Sequence, residues 1–538
     1  MPLFFITLYT YCANTCNNYI YRPLITARQL RATMAPTSFC WGCLSNLQRG
    51  PRLLQPLSAL RIAPFHTTAP AFALPIKKKP GSGQSEAPKF RESLSARINK
   101  KVKREKPRPP APGERRAAKE RIVLSNTNAL EVPDMQELSV ENMTNADLRG
   151  HTVGLPMALI DRLRGARAFK TTQGWSLFRR PGTLVREETL ELGRLITGIG
   201  DGESETKGKT IKRIITGDKG TGKSVHLTQA MTLALLKGWV IVTIPEAQDL
   251  TIGHTAYAPS PSDPGKYVQQ DAVAKVLQRM IAANAPLLAK LHISQNHLNL
   301  KAPVRPDMTL EQLAKLGIDD TAHAWPIFQA LWSELTATEA TTNVDGQKPF
   351  SSRPPILVTV DGLAHWMTNS QYRTAEYEII HAHDLALVNH FLSLLLSERS
   401  SPALPNGGLL LYSTSTSNTP TLYTFEVLLE QLAARTAGIP TDSSEFPAVS
   451  QYRRPDQRVL ALLNEAKDLS TQRLTGLDKE DSKGLLEYFA HSGILREKIT
   501  EEFVSEKWTL SGMGIIGELE KLGKRVRVPP PIPMPAAN

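Results

Sequence analysis

The sequence predicts an α/β protein with a mostly parallel sheet, preceded by a disordered basic arm and followed by a small helical domain. Three observations predict it. A β-branched run at 212–216 enters a glycine-rich loop and then a helix; buried-type strands alternate with helical periodicity after it; and charge is divided sharply along the chain. Of 538 residues, the first 121 hold 22 Lys/Arg against 5 Asp/Glu, a net of +17, whereas residues 122–538 carry a net of −4. The basic character therefore belongs to the first quarter. No run approaches the roughly 18 apolar residues of a membrane-spanning helix, so no membrane span is expected. All four cysteines (Cys12, Cys16, Cys40, Cys43) precede residue 44, which excludes a disulfide scaffold for the body.

Residues 1–75 read as a mitochondrial transit peptide: nine Lys/Arg and many Ser, Thr and Leu precede the first acidic residue, Glu86, and Arg61-Ile62-Ala63-Pro64-Phe65 resembles a processing site. Met34, followed by Ala35-Pro36-Thr37, would open a more typical peptide of this kind than Met1. A secretory signal at 1–20 would lack its basic n-region. The Cys40-x2-Cys43 pair has zinc-knuckle spacing, but a structural zinc site needs four ligands in a folded setting. Residues 76–121 hold 16 basic and 5 acidic residues with six prolines and one aromatic, too little apolar surface to offset ordering entropy. Lys100, Lys101, Lys103, Arg104, Lys106, Arg115 and Arg116 are the candidate contacts of this arm to a polyphosphate.

The body, 122–450, carries the strongest signal. Gly217-Asp218-Lys219-Gly220-Thr221-Gly222-Lys223-Ser224 matches G-x-x-x-x-G-K-[ST] in full, with a strand before it and the helical run from Val225 after it. The glycines let successive amides turn towards phosphate oxygens, Lys223 reaches the β- and γ-phosphates, and Ser224 ligates Mg²⁺. The helix N-terminus at Val225 adds partial positive charge. A second acid is needed at the end of a buried strand. Pro355–Asp361 has that pattern, which makes Asp361 the second Mg²⁺ residue. Gly362 follows where many hydrolysing relatives have Glu, so no catalytic residue is assigned and turnover is expected to be slow at most. The strand at Leu409–Ser415, after a helix at Ala382–Glu398, ends in Ser413 and Thr414, the candidate sensors of a terminal phosphate. Asn-Lys-x-Asp is absent, and the loop chemistry fits ATP as well as GTP or GDP.

Beyond the loop, Gly154-Leu155-Pro156, Arg179-Arg180-Pro181, Gly238 to Ala247 and Val358-Thr359-Val360-Asp361-Gly362 occur in an order that resembles the death-associated protein 3 family. The resemblance covers roughly 122–527. It implies a P-loop fold related to AAA+ proteins, guanine nucleotide, and a place in the small subunit of the mitochondrial ribosome in the matrix. The partners it implies are small-subunit rRNA, neighbouring ribosomal proteins and a bridge to the large subunit, with no free homo-oligomer expected. The polar insert at Thr336–Ser352 and the long basic arm depart from the family pattern. The alternative reading is a cycling matrix P-loop NTPase, an AAA+-like remodeller or switch.

Residues 451–528 read as helices at Gln457–Asp468, Lys483–His491, Glu497–Lys507 and Gly517–Leu522, resembling the winged-helix-like domain after many AAA+ cores. A Pro-rich tail at 529–538 should be extended.

Overall fold

The computed structural model describes residues 122–524 except 201–205, 298–299, 340–349, 398–401, 416–421, 451 and 467. The transit peptide, the arm with Lys100 to Arg116, most of the polar insert and the Pro-rich tail lie outside the described residues.

Strands β1 (Thr210–Gly217), β2 (Val240–Ile244), β3 (Ile356–Asp361), β4 (Gly408–Ser413) and β5 (Leu469–Leu474) form one parallel sheet. Their spatial order is β5-β1-β4-β3-β2. Every residue of β2, β3 and β4 is buried, which is why these runs are continuously apolar rather than alternating. Successive side chains still point to opposite faces. Ile215, Ile241, Leu357, Leu409 and Leu411 pack under α1 (Met157–Gly165), α2 (Glu187–Gly200) and α3 (Lys223–Leu236). Ile214, Val242, Val358, Val360 and Leu410 face the other layer. That layer holds α4 (Gln270–Leu288), α5 (Leu310–Asp319), α6 (Ala324–Thr336), α7 (Ala386–Leu396) and α8 (Tyr423–Thr436). The register sets Ser413 of β4 opposite both Asp361 of β3 and Ile215 of β1, so the carboxyl ends of three strands meet beside the loop after β1.

Two expectations change. The sheet does not end before residue 451: after α9 (Gln457–Glu465), the chain returns as β5 and pairs with β1, so the helical unit begins after Leu474. β5 was hidden because it is an edge strand in which Leu469 and Leu474 alone are buried, with polar residues between. The second change concerns α7, which starts at Ala386 rather than Ala382, since residues 382–384 form a short turn capped by the His381 ring.

Past Leu474, α10 (Lys479–His491), α11 (Glu501–Leu510) and α12 (Ile516–Gly523) follow; among the described residues no β-hairpin wing accompanies them. Asp478 and Thr500 cap α10 and α11 with their side chains. These helices do not close a core of their own. Leu486, Tyr488 and Phe489 pack with Phe178 and Leu184, which precede the sheet in sequence, and the Phe178 ring lies 4.5 Å from Tyr488.

One ionic knot pins the α6 side of the molecule. Glu334 and Arg353, both with side chains 0% exposed, pair at 2.8 Å. Glu334 also accepts from Ser294 N, Ser294 Oγ and Gln295 N, with His297 Nε2 at 2.8 Å. Those hydrogen bonds outweigh burial and hold its carboxyl below the ordinary range.

Candidate functional site

The loop after β1 runs through a tight turn, with Thr221 Oγ1 donating to Asp218 O at 3.0 Å, and α3 starts at Lys223. Among the described residues the amides of Gly220, Gly222, Lys223 and Ser224 have no protein acceptor, as expected for the orphan donors of a helix start. They lie at the positive end of the α3 dipole.

Two elements brace this loop from behind. The buried guanidinium of Arg186 donates to Thr221 O at 2.9 Å while gripping Glu188 through two hydrogen bonds. From the C-terminal unit, Gly517 N donates to Gly220 O at 2.9 Å. Gly222 sits at φ +93°, a conformation that favours glycine, and a Cβ there would stand 3.1 Å from Ile516 Cδ1, so a side chain would also push the end of Ile516 aside. The loop is thus clamped between the segment before the sheet and the last helix.

The Lys223 ammonium donates to Gly217 O and Asp218 O, 2.7 Å each. Burial lowers its pKa, and Asp361 and Asp218 oppose that shift. In this arrangement Lys223 is folded over its own loop, and reaching a β- or γ-phosphate exchanges those two carbonyls for phosphate oxygens.

Asp361 is the node of the site. Its Oδ2 accepts from Ser224 Oγ at 2.6 Å and its Oδ1 accepts from Ser413 Oγ at 2.6 Å. The structure therefore brings Ser224, Asp361 and Ser413 together from three separate elements. Thr414, the other candidate sensor, is turned away: its hydroxyl lies 3.4 Å from Ile215 O. Lys219 and Val225 flank the cradle without polar contacts among the described residues, and Asp218 faces Arg473 at 3.9 Å on the surface. Gly362, at φ +92°, donates its amide to Ser413 O. The turn that joins β3 to the next residues thus takes a conformation that a glutamate would occupy only under strain. His365 is buried beside Gly362, and burial lowers its pKa.

Three participants were not visible in the sequence. Arg186 is one. Lys170, in the stretch after α1, ion-pairs with Asp361 Oδ2. Glu246, just beyond β2, lines a groove of 1420 Å³ with Lys170, Arg167 and Arg279. Its pKa is raised by desolvation, then by Asp249 and Asp361, against the pull of Lys170 and Arg167. No local spacing announces any of them, because each reaches the site only through tertiary packing.

On the other side of Gly222 lies a cavity of 130 Å³ walled by Trp175, Phe178, Tyr488 and Ile516. Val225, His226 and Thr152 also line it, together with the charged Arg186 and Glu520 and the amide of Gln229. His226 Nε2 and Thr152 Oγ1 are buried there with no hydrogen-bond partner in the protein. Burial, then the charge of Arg186, holds the His226 imidazole neutral with its pKa pushed down to about 4.

Residues 183–522 match the family described as mitochondrial ribosomal death-associated protein 3. The small ribosomal subunit protein mS29 of Neurospora crassa is 40% identical over 415 residues, covering 77% of this chain and 83% of its own length. The match takes in the loop, β3, β4 and the C-terminal helices that clamp them, and on this footing the chain belongs to the mitochondrial ribosomal death-associated protein 3 family.

Proposed function

We propose that this protein is a structural component of the small subunit of the mitochondrial ribosome that holds a purine nucleotide, guanine favoured, as a built-in ligand. Family membership places it in the mitochondrion. The name of the Neurospora relative supports the ribosomal role. For the nucleotide, the observation that carries the reading is the meeting of free loop amides with Ser224, Asp361 and Ser413 within hydrogen-bond distance. The triphosphate lies along the loop, and the base enters the slot beside Gly222, against the rings of Trp175, Phe178 and Tyr488.

The donors of the site also suit Mg²⁺, a hard cation that takes hydroxyl and carboxylate oxygens. Ser224 and Asp361 would hold it, and when bound it would neutralise phosphate charge. The protein's own part is to orient the phosphates and to bridge two layers. A ligand that touches the loop is sensed at once by Arg186 on one side and by α12 on the other. Occupancy then stabilises the folded state by mass action, and the clamped surface is what neighbouring rRNA and proteins meet. The basic arm at 76–121 adds phosphate contacts, made to backbone and shape rather than to base edges.

Turnover is slow or absent in this reading, because Gly362 leaves no carboxylate after Asp361. The test is a single-turnover assay with radiolabelled GTP and ATP on purified protein, together with extraction of the nucleotide it carries. A guanine nucleotide retained for hours supports the proposal; turnover near one per second overturns the structural role. One observation favours the cycling NTPase as a second reading: Glu246, a carboxylate of raised pKa in the electrostatic field of Asp361, could take a proton from water. Loss of turnover in Glu246→Gln with unchanged nucleotide affinity would establish it.

A further inference from the structure

The Lys170 ammonium is bonded to the same oxygen of Asp361 that accepts from Ser224. It therefore stands on the side of the carboxylate that faces the hydroxyl of the loop, where a divalent ion would act. Lys223 does not serve this role, since its ammonium is on the carbonyls of Gly217 and Asp218. Among the described residues, Lys170 is the cation that ion-pairs with Asp361.

Its placement is fixed by the fold. Thr228 Oγ1, on α3, donates to Ala168 O at 2.9 Å and ties this stretch to the helix that begins at the loop. Phe169 is buried and meets Trp175 edge-on at 5.2 Å. Trp175 Nε1 donates to Gln173 Oε1, and the same oxygen accepts Lys170 N at 2.8 Å. The backbone of Lys170 is thus held on both sides, while its side chain, 25% exposed, reaches Asp361 from the mouth of the groove. A charge supplied by a rigid tether costs little ordering entropy when a ligand arrives, unlike an ion drawn from solution.

We propose that Lys170 is a tethered cation of the phosphate site. It neutralises Asp361 in the free protein and carries charge of the terminal phosphate in the bound one, so that nucleotide is held with little dependence on Mg²⁺. The proposal rests on the nucleotide reading above and adds to it a residue and a metal requirement. Two cations that share one carboxylate oxygen repel each other, so Lys170 and Mg²⁺ act as alternatives rather than as partners.

The test is the affinity of full-length protein for a fluorescent GTP analogue, in saturating Mg²⁺ and in excess EDTA, for wild type, Lys170→Met and Lys170→Arg. Wild type should lose less than about threefold on removal of Mg²⁺, a fraction of a kcal/mol. Lys170→Met should lose about tenfold or more when Mg²⁺ is replaced by EDTA, a steeper metal dependence than wild type. Lys170→Arg keeps the charge and should keep most of the EDTA affinity, which separates charge from fold if the Met variant is unstable. Equal metal dependence in wild type and Lys170→Met, or in Lys170→Arg and Lys170→Met, overturns the proposal. Wild type that binds tightly in Mg²⁺ and not in EDTA sinks this inference alone. Wild type that binds in neither sinks the nucleotide reading with it.

Discussion

Two buried carboxylates in this protein are built alike and used differently. Glu334 and Asp361 both pair with a cation, and both accept from a serine hydroxyl. Around Glu334 the shell is closed: backbone amides, Ser294, His297 and a fully buried Arg353 consume its lone pairs. Around Asp361 the partners are side chains only, and on Oδ2 both of them, Ser224 and Lys170, are partly exposed. Ser224 opens a helix whose amides are free, and Lys170 is a partly exposed side chain at a groove mouth. A saturated shell makes scaffold; an exchangeable one makes a site. The difference lies in what each partner can do next, since the charges themselves are equivalent.

That contrast can be broken experimentally. The largest effect is expected from Arg353→Ala, which leaves Glu334 buried and unpaired and should cost about 3–5 kcal/mol of stability in urea unfolding. Asp361→Asn should cost far less stability, because Lys170 and Ser224 can turn to solvent and the amide can still accept from Ser413, yet should remove most bound nucleotide. Equal destabilisation by the two variants would erase the distinction between scaffold and site.

An acid titration of stability comes next. His226, His383 and His390 are held neutral by burial, with pKa values pushed down to about 4. The unfolded chain takes up protons near the ordinary value of about 6.5 that the folded chain refuses, so stability falls as pH drops from there towards 4 and is flat above. Each such histidine steepens the fall by about 1.4 kcal/mol per pH unit. Asp481 works the other way, since burial, then repulsion from Asp478, raises its pKa to about 6, and its protonation partly offsets the loss. His226 lines the slot, so bound nucleotide should blunt its share, whereas His383 and His390 lie away from the site and should respond to pH regardless. Melting curves at pH 7.5 and 5.0, with and without GTP, read this out.

A smaller effect separates the two candidate sensors. Ser413→Ala removes a hydrogen bond to a charged group and should cost about 1.5–3 kcal/mol, shared between stability and nucleotide affinity. Thr414→Val should leave affinity unchanged, because that hydroxyl points towards Ile215 O. An affinity loss in Thr414→Val would mean the strand end rotates when nucleotide binds.

The same distinction explains what could be read in advance. The loop from Gly217 to Ser224 is legible because its chemistry is written in consecutive residues, and Asp361 because a fully buried parallel strand must be apolar along its whole length. The strand end offered Ser413 and Thr414 alike, and the register of β4 with β3 sets Ser413, not Thr414, opposite Asp361. Lys170, Arg186 and Glu246 were invisible, since a single charged residue in a loop looks the same whether it meets water or a carboxylate. β5 was invisible for a related reason. Its middle residues, Ser470 to Arg473, are polar on an edge, and the pairing with β1 is made by backbone atoms that carry no sequence signature. The clamp of α12 on the loop has the same origin, as it depends on Gly517 meeting Gly220 from the far side of the sheet's sequence.

The central claim is that the clamped loop holds a nucleotide as part of the fold. The most direct measurement is the nucleotide content of native protein purified from mitochondria, beside that of Lys223→Ala. We expect close to one purine nucleotide per chain in the native protein, and less than about a tenth of that in the variant, with a lowered melting temperature. Equal nucleotide content in the two, or none in the native protein, would contradict the account.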